Sequence, residues 1–364
     1  MWTQTALTAR LGLAYPIVQG PFGGGNSTPT LAAAVSNAGA LGSLGAVGLA
    51  PEAIREGVAD IARRTTKPFN INLWVPIAGE DDREPSREER ARCLAHLAPV
   101  FAELDLEAPQ PFQEPPFAAQ VEALLEARPP VWSFVMGIPD PAMLKDARRR
   151  GIATIGTATT VEEAARIEEA GADAVVASGA DAGGHRGSFL RPVEASLVGT
   201  MSLVPQIVSE VRIPVIAAGG IADGRGIAAA MALGAAGVQV GTAFLISPES
   251  GAPEHHKQVL GTPASRITRV TRAFTGRPAR GIENGLMRLL EAHPDDVLPY
   301  PAQHHLTAPI RKAAAARGRA DLLALWAGQN AASARAQGAA EIVSRLVRET
   351  NDVLRGRRLA PSED

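Results

Sequence analysis

Short runs of apolar, often β-branched residues alternate along this chain with longer alanine-rich segments whose apolar positions recur at helical spacing. That alternation predicts repeated βα units around a parallel sheet. Eight such runs stand out: Pro16–Gln19, Ala40–Leu44, Phe69–Leu73, Val131–Met136, Ala153–Gly156, Ala174–Ala177, Pro214–Ala217 and Gly237–Val240. The segments between them carry helix starts. Thr28 or Thr30 precedes Leu31–Asn37, Pro51 precedes Glu52–Arg63, Pro139 precedes Met143–Arg149, and Thr160 with Glu163 has the spacing of a capping box.

Two of the runs end in a way that suggests an anion site. PVIAAGG is apolar and then abruptly glycine at Gly219 and Gly220, so backbone there approaches a ligand with no Cβ in the way. Asp223 is placed to cap a helix from Ile227 to Leu233. GVQVGTAFL repeats the design, offering Gln239, Val240, the Gly241 N–H and the Thr242 hydroxyl. Consecutive strand ends converging on one phosphate predict a (β/α)8 TIM barrel, with the site at the ends of strands seven and eight beside a helix N-terminus.

The regular alternation fails in two places. Residues 77–116 are rich in proline and charge, with a helical patch near Arg87–Leu104, and read as an insertion after strand 3. Beyond Phe244 the pattern turns helical at Glu254–Leu260, Gly285–Ala292, Leu306–Ala316, Asp321–Gln329 and Ala340–Glu349. The division expected is a barrel over 1–250 and a helical segment over 251–364. That segment is expected to pack on the barrel and bring the region of Tyr300 to the substrate pocket.

The 364 residues carry 36 basic and 38 acidic side chains, a net charge of −2, and no basic stripe interleaved with aromatics. This argues against nucleic acid as a partner and for small neutral or anionic ligands. The single cysteine, Cys93, excludes an internal disulfide and reads as a bystander thiol. The N-terminus lacks the features of a secretory signal, and the apolar stretch Pro214–Ile246 is broken by Asp223, Arg225 and glycines. A cytoplasmic protein without membrane association is expected, with homo-oligomerisation left open.

His185, between Gly183, Gly184 and Gly187 after the sixth strand, is placed for catalysis, since an ordinary imidazole pKa of about 6.5 suits proton abstraction. The bland alternative is a histidine bonded within its own loop. Gln19–Gly25, containing Pro21, Phe22 and Gly23, offers backbone to a flat ring or simply makes a turn. Asn70 and Asn72 share one face of FNINLW, and inward amides in a barrel need partners, from a heteroaromatic cofactor or from each other. The adjacent pairs His255–His256 and His304–His305 point apart and make poor chelates, so no metal is expected. The charged run Glu80–Arg92 reads as a solvated helix face.

Together the segments TLAAAVSNAGALGSLGA, KPFNINLWVP, DAGGHRGSF, PVIAAGGIADGRGIAAAMALGAAGVQVGTAFL, TRAFTGRPARGIENG and LWAGQNAASARAQGAAEIVSRL resemble the nitronate monooxygenase family over nearly the whole chain. The resemblance implies a TIM-barrel enzyme with FMN that oxidises alkyl nitronates with dioxygen to carbonyl compounds, releasing nitrite or a related oxide. It implies His185 as the base or substrate-polarising residue. It further implies FMN contacts from Pro21, Phe22, Gly23, Asn72, Ser178, Gly183, Gly220 and Gln239 through Thr242, and nitro-group contacts from Tyr300 with His304 one turn on. Ser178 stands where the family often has glutamine. The alternative is an FMN-dependent reductase of the same barrel family, acting with NAD(P)H on quinones or on enoyl-acyl-carrier-protein; the enoyl reductases usually carry arginine where this chain has Ala243, which weakens that reading and leaves quinone reduction open. A barrel that only binds FMN or phosphate would lack a base in the strand-six loop, where His185 is present.

Overall fold

The computed structural model describes residues 1–77, 79, 83–109 and 114–359, so the start of the charged run, at 80–82, lies outside the described residues. Its strands are β1 (Ile17–Gln19), β2 (Gly42–Gly45), β3 (Phe69–Trp74), β4 (Val131–Val135), β5 (Ala153–Ala158), β6 (Ala174–Ser178), β7 (Gly184–His185), β8 (Val215–Ala218), β9 (Gly237–Val240), β10 (Thr268–Thr271) and β11 (Ala279–Ile282). Eight of them form one parallel sheet in the order β1-β9-β8-β6-β5-β4-β3-β2. A parallel bridge from Val18 to Leu41 brings the two outer strands together, so the sheet curls into the (β/α)8 TIM barrel expected from the alternation.

Strand periodicity sorts the side chains. Val18, Val131, Ile155, Val176, Ile216 and Ala218 belong to one buried cluster, closed off by Leu7 and Leu11 of the first helix, and fill the lumen. Their neighbours in sequence Ile17, Trp132, Val175 and Ala217, with Ile71 and Val238 from β3 and β9, join the larger core beneath the surrounding helices. Helix starts follow local chemistry: the Thr28 hydroxyl accepts from Leu31 N at 3.0 Å ahead of Pro29–Asn37, and Asp140 caps Pro141–Arg149.

A second core lies outside the barrel. Cys93, Leu97, Val100 and Phe101 on the insertion helix Arg87–Glu103, with Leu104 just after it, pack with Phe274, Leu286, Leu290, Leu306 and Ile310 from beyond β9. The insertion and the later segment thus make one cap. Its helices include Glu254–Val259, Gly285–Glu291 and Ala302–Arg317, the last following a cis Tyr300–Pro301 bond. The expected helix over Asp321–Gln329 is not formed. A 3-10 turn at Ala320–Leu322 gives way to extended chain, in which Leu325 O accepts from Ile282 N at 2.8 Å and Trp326 bridges to Gly281. The buried residues Leu323, Leu325 and Ala327 are two apart, which is the strand period. The chain then returns to the barrel as the helix Ala339–Leu354, which packs against Gly224–Ala232 and Pro29–Asn37 and buries Ile342, Val343 and Leu346 in the barrel core. Among the described residues no helix is long and apolar enough to cross a membrane.

Candidate active site

Above the apolar lumen the barrel turns polar. Asn70, Asn72, Ser133, Ser178 and Gln239 replace the aliphatic side chains in the upper layers of β3, β4, β6 and β9. Both asparagines donate to the Ser133 hydroxyl, at 2.8 and 2.9 Å, and Asn70 also to Ser43 at 3.2 Å. Asn70 Oδ1 is enclosed without a partner. The Gln239 amide and the Ser178 hydroxyl have no hydrogen-bond partner among the described residues, although both side chains are half-buried. Pro21, Phe22 and Gly23 lie beside them: the Phe22 ring sits over Gly20 and Gly241, and its backbone N–H is tied to the Ser27 hydroxyl at 2.8 Å.

Carboxylates already occupy the first N–H groups of the helix after β8. Asp223 accepts from Arg225 N and Gly226 N at 2.9 and 3.2 Å, and Glu349 from Gly224 N at 3.1 Å. The helix N-terminus expected to hold an anion is therefore saturated. The open donors are the N–H groups of Gly220, whose φ of 68° no branched side chain tolerates, and of Gly241 and Thr242, none of which finds an acceptor among the described residues. Thr242 Oγ1 accepts from Gly328 N at 3.0 Å, which leaves its hydroxyl proton to donate. Behind the adjoining loop, buried Arg186 donates to the carbonyls of Gly179 and Ser178 at 2.7 Å, and Arg280 to that of Ala180 at 2.9 Å. These open donors and the orphaned amide suit a phosphorylated heteroaromatic group. Gly219 and Gly183 have a different constraint: a Cβ at Gly219 would lie 2.4 Å from the Thr200 hydroxyl, and one at Gly183 2.4 Å from the backbone of Ala327 and Gly328.

His185 lies on the short strand β7, which pairs antiparallel with β11. Its ring meets the edge of Trp74 at 4.7 Å and tilts against Trp326 at 5.2 Å, while Nε2 is 2.9 Å from the Thr275 hydroxyl. Burial, with the charges of Arg277 and Arg311 adding to it, pushes its pKa down to about 3, so the ordinary value expected from sequence does not hold. The loop after it is held by Glu163, which is fully buried. Thr160 accepts from Glu163 N as a cap should, but the Glu163 carboxylate does not complete the expected box. It accepts from Thr159 N and Oγ1 and from Phe189 N and Leu190 N, at 2.6, 2.7, 2.7 and 3.2 Å.

The cap contributes the far wall. The Tyr300 ring lies 6.1 Å from Trp74, with the Arg277 guanidinium 4.4 Å over it, and its hydroxyl donates to Glu114 at 3.0 Å. His304 follows at 6.2 Å from Tyr300. A cleft of about 470 Å³ opens here between Trp74, Arg277, Tyr300 and His305 on one side and Arg83, Arg90 and Glu114 of the insertion on the other. Sequence reasoning missed Trp74, Thr275, Arg277, Arg311 and Trp326. Only Trp74 had a local signal: it continues the period-two face of Asn70 and Asn72. Away from the cleft, His96, His293 and Asp296 place three donor atoms within 4.8 Å of one another, a grouping the histidine-pair reading did not consider.

Residues 4–349 match the family model for nitronate monooxygenase. The chain is 41% identical over 357 residues to a probable nitronate monooxygenase of Staphylococcus aureus, spanning 97% of this chain and 99% of that protein. The solved nitroalkane oxidase of Streptomyces ansochromogenes is similar with a TM-score of 0.89 at 41% identity, over 97% of this chain and 99% of its own. FabK from Thermotoga maritima is similar with a TM-score of 0.76 at 29% identity, over 97% and 98%. The matched stretch runs through barrel and cap alike, and the chain belongs to the nitronate monooxygenase family, an enzyme family of flavin oxidoreductases.

Proposed function

We propose that the protein is an FMN-dependent cytoplasmic enzyme that oxidises alkyl nitronates with dioxygen, and neutral nitroalkanes more slowly, yielding a carbonyl compound and nitrite or a related oxide. The observation that carries this reading is the setting of His185, a neutral imidazole wedged between Trp74 and Trp326 at the polar mouth of the barrel. FMN would be held by Gly220, Gly241 and Thr242 at its phosphate and by Asn72, Ser178, Gln239 and the Pro21–Gly23 backbone at its polar edges. Bound there, it supplies the redox chemistry, taking electrons from the substrate and returning them to dioxygen.

The protein's own groups favour an anion. Arg277 and Arg311 place positive charge beside His185, and a nitronate arrives already lacking its α-proton. The Thr275 hydroxyl donates to Arg277 O at 3.3 Å, so His185 Nε2 carries the hydrogen toward Thr275 and Nδ1 keeps the lone pair. A proton taken from a neutral nitroalkane would be held at Nδ1, by a base much weaker than ordinary histidine. Ala243, which is buried in the core, stands where the enoyl reductases usually carry arginine, and this weighs against that alternative.

The deciding measurement is the anaerobic visible spectrum of the purified protein before and after addition of ethyl nitronate. A flavin spectrum that changes on nitronate supports the reading. A flavin that ignores nitronate and bleaches with NAD(P)H replaces it with a reductase. His185→Ala should keep its flavin and lose about 10²-fold or more in kcat/KM on the neutral nitroalkane, and less on the nitronate. Equal losses on both substrates would remove the base assignment.

A further inference from the structure

His304 and Arg311 lie seven residues apart on the helix Ala302–Arg317, two turns along one face. Arg311 Nη2 is 3.0 Å from the His304 carbonyl oxygen and 3.2 Å from His304 Nδ1. We propose that Arg311 is a positioning residue that fixes the tautomer of His304, and that His304 thereby presents a permanent Nε2–H donor to an oxygen of the bound nitronate, setting the enzyme's preference for that anion. The donor's role rests on the function proposed above; the tautomer does not.

A guanidinium has five N–H donors and no acceptor, so the atom of His304 facing it must carry a lone pair. An imidazolium has hydrogens on both nitrogens and would turn one of them against a cation. The contact therefore holds His304 neutral with its single hydrogen on Nε2. Burial acts in the same direction, with the charges of Arg311, His305 and His185 adding to it, and brings the His304 pKa down to about 2. Nε2 has no hydrogen-bond partner among the described residues and is not sealed within the protein. The ring stands beside Tyr300, whose own hydroxyl is committed to Glu114. Arg311 makes no ion pair with a carboxylate among the described residues, and its Nε is enclosed without a partner. An uncompensated cation behind a fixed N–H donor matches a guest whose oxygens only accept and carry negative charge.

The test is ¹⁵N-histidine NMR of the flavin-loaded enzyme at neutral pH, with His304 assigned through the His304→Gln variant. A one-bond N–H coupling at Nε2 and a bare Nδ1 are expected. In Arg311→Met the signal should move to a tautomer mixture. That replacement puts an apolar side chain where a cation had no partner and leaves no charge stranded; Arg311→Lys, which keeps a donor, should retain the Nε2–H form. An Nδ1–H tautomer, an imidazolium, or no change in Arg311→Met overturns the proposal. In kinetics, His304→Leu should raise KM for ethyl nitronate about tenfold or more with kcat changed much less, while His304→Gln, which keeps an N–H, recovers most of the loss. If Gln and Leu behave alike, the donor role is wrong. If wild-type enzyme turns over no nitronate, the functional reading fails while the tautomer result stands on its own.

Discussion

The two halves of the candidate site are built from different materials. The end at β8 and β9 presents backbone: N–H groups of Gly220, Gly241 and Thr242 from turns adjacent in sequence and anchored by strands. The end around His185 presents side chains, and each is aimed by a segment remote from it. Thr275 and Trp326 lie about 90 and 140 residues downstream of His185, and Glu163 lies on the preceding helix. A backbone site needs glycine and a strand end, both local properties. A side-chain site needs the whole cap in register.

Perturbing Glu163 tests this contrast most severely. Glu163→Ala removes one buried carboxylate that satisfies four donors, the two from Thr159 buried, so a loss of about 3 kcal/mol in urea unfolding is expected, together with most of the activity, while flavin binding at the backbone end survives in the folded fraction. Loss of flavin as steep as the loss of activity would mean that the two ends are not separable. Gly220→Ala attacks the other end: a non-glycine residue at φ 68° costs about 1 kcal/mol, and weaker flavin retention on dialysis is expected with little change in the cap.

Histidines sharpen the comparison, because those held neutral by burial include His256 within the cap and His185 and His304 around the site. An unfolded histidine takes a proton near pH 6.5, whereas folded His256 does so only at about 4. Between those values the unfolded chain binds more protons, so this contribution is whole above about pH 6.5 and is lost as the pH falls. A slope of about 1.4 kcal/mol per pH unit from His256 alone is expected in denaturant titrations between pH 6 and 4. His256→Gln should flatten it. The smallest effect belongs to Cys93, whose thiol donates to Gln303 Oε1 at 3.3 Å and is pushed up to about 11 by burial. Cys93→Ser keeps the donor and should cost under about 1 kcal/mol in thermal unfolding, with unmodified reactivity of the native protein toward thiol reagents already slow.

This division explains what could be read in advance. All eight barrel strands were visible as apolar runs, since each is buried on both faces, and Gly220, Gln239 and Thr242 were visible because they interrupt those runs. Glu163 looked like a capping residue because its spacing from Thr160 is local, whereas its partners Phe189 and Leu190 come from another loop. The segment after Ala320 looked helical because it lies among helices, and only pairing with β11 draws it out straight. The pKa of His185 depends on Trp74, Trp326 and two arginines that no sequence window contains together.

The return of the chain to the barrel as Ala339–Leu354 has a consequence for how the molecule is made. That helix fills the gap between Gly224–Ala232 and Pro29–Asn37, Glu349 reaches the Gly224 N–H, and Asn351 accepts from the Trp2 indole at 2.9 Å. During synthesis from the N-terminus, all eight strands and the entire cap leave the ribosome before the piece that shields the flank between Pro29–Asn37 and Gly224–Ala232. Until then Ile227, Leu31 and Val35 have no cover from that side. Until that helix emerges the growing chain therefore carries an apolar seam along this flank, and the bond from Trp2 to Asn351 can close only once the helix has docked.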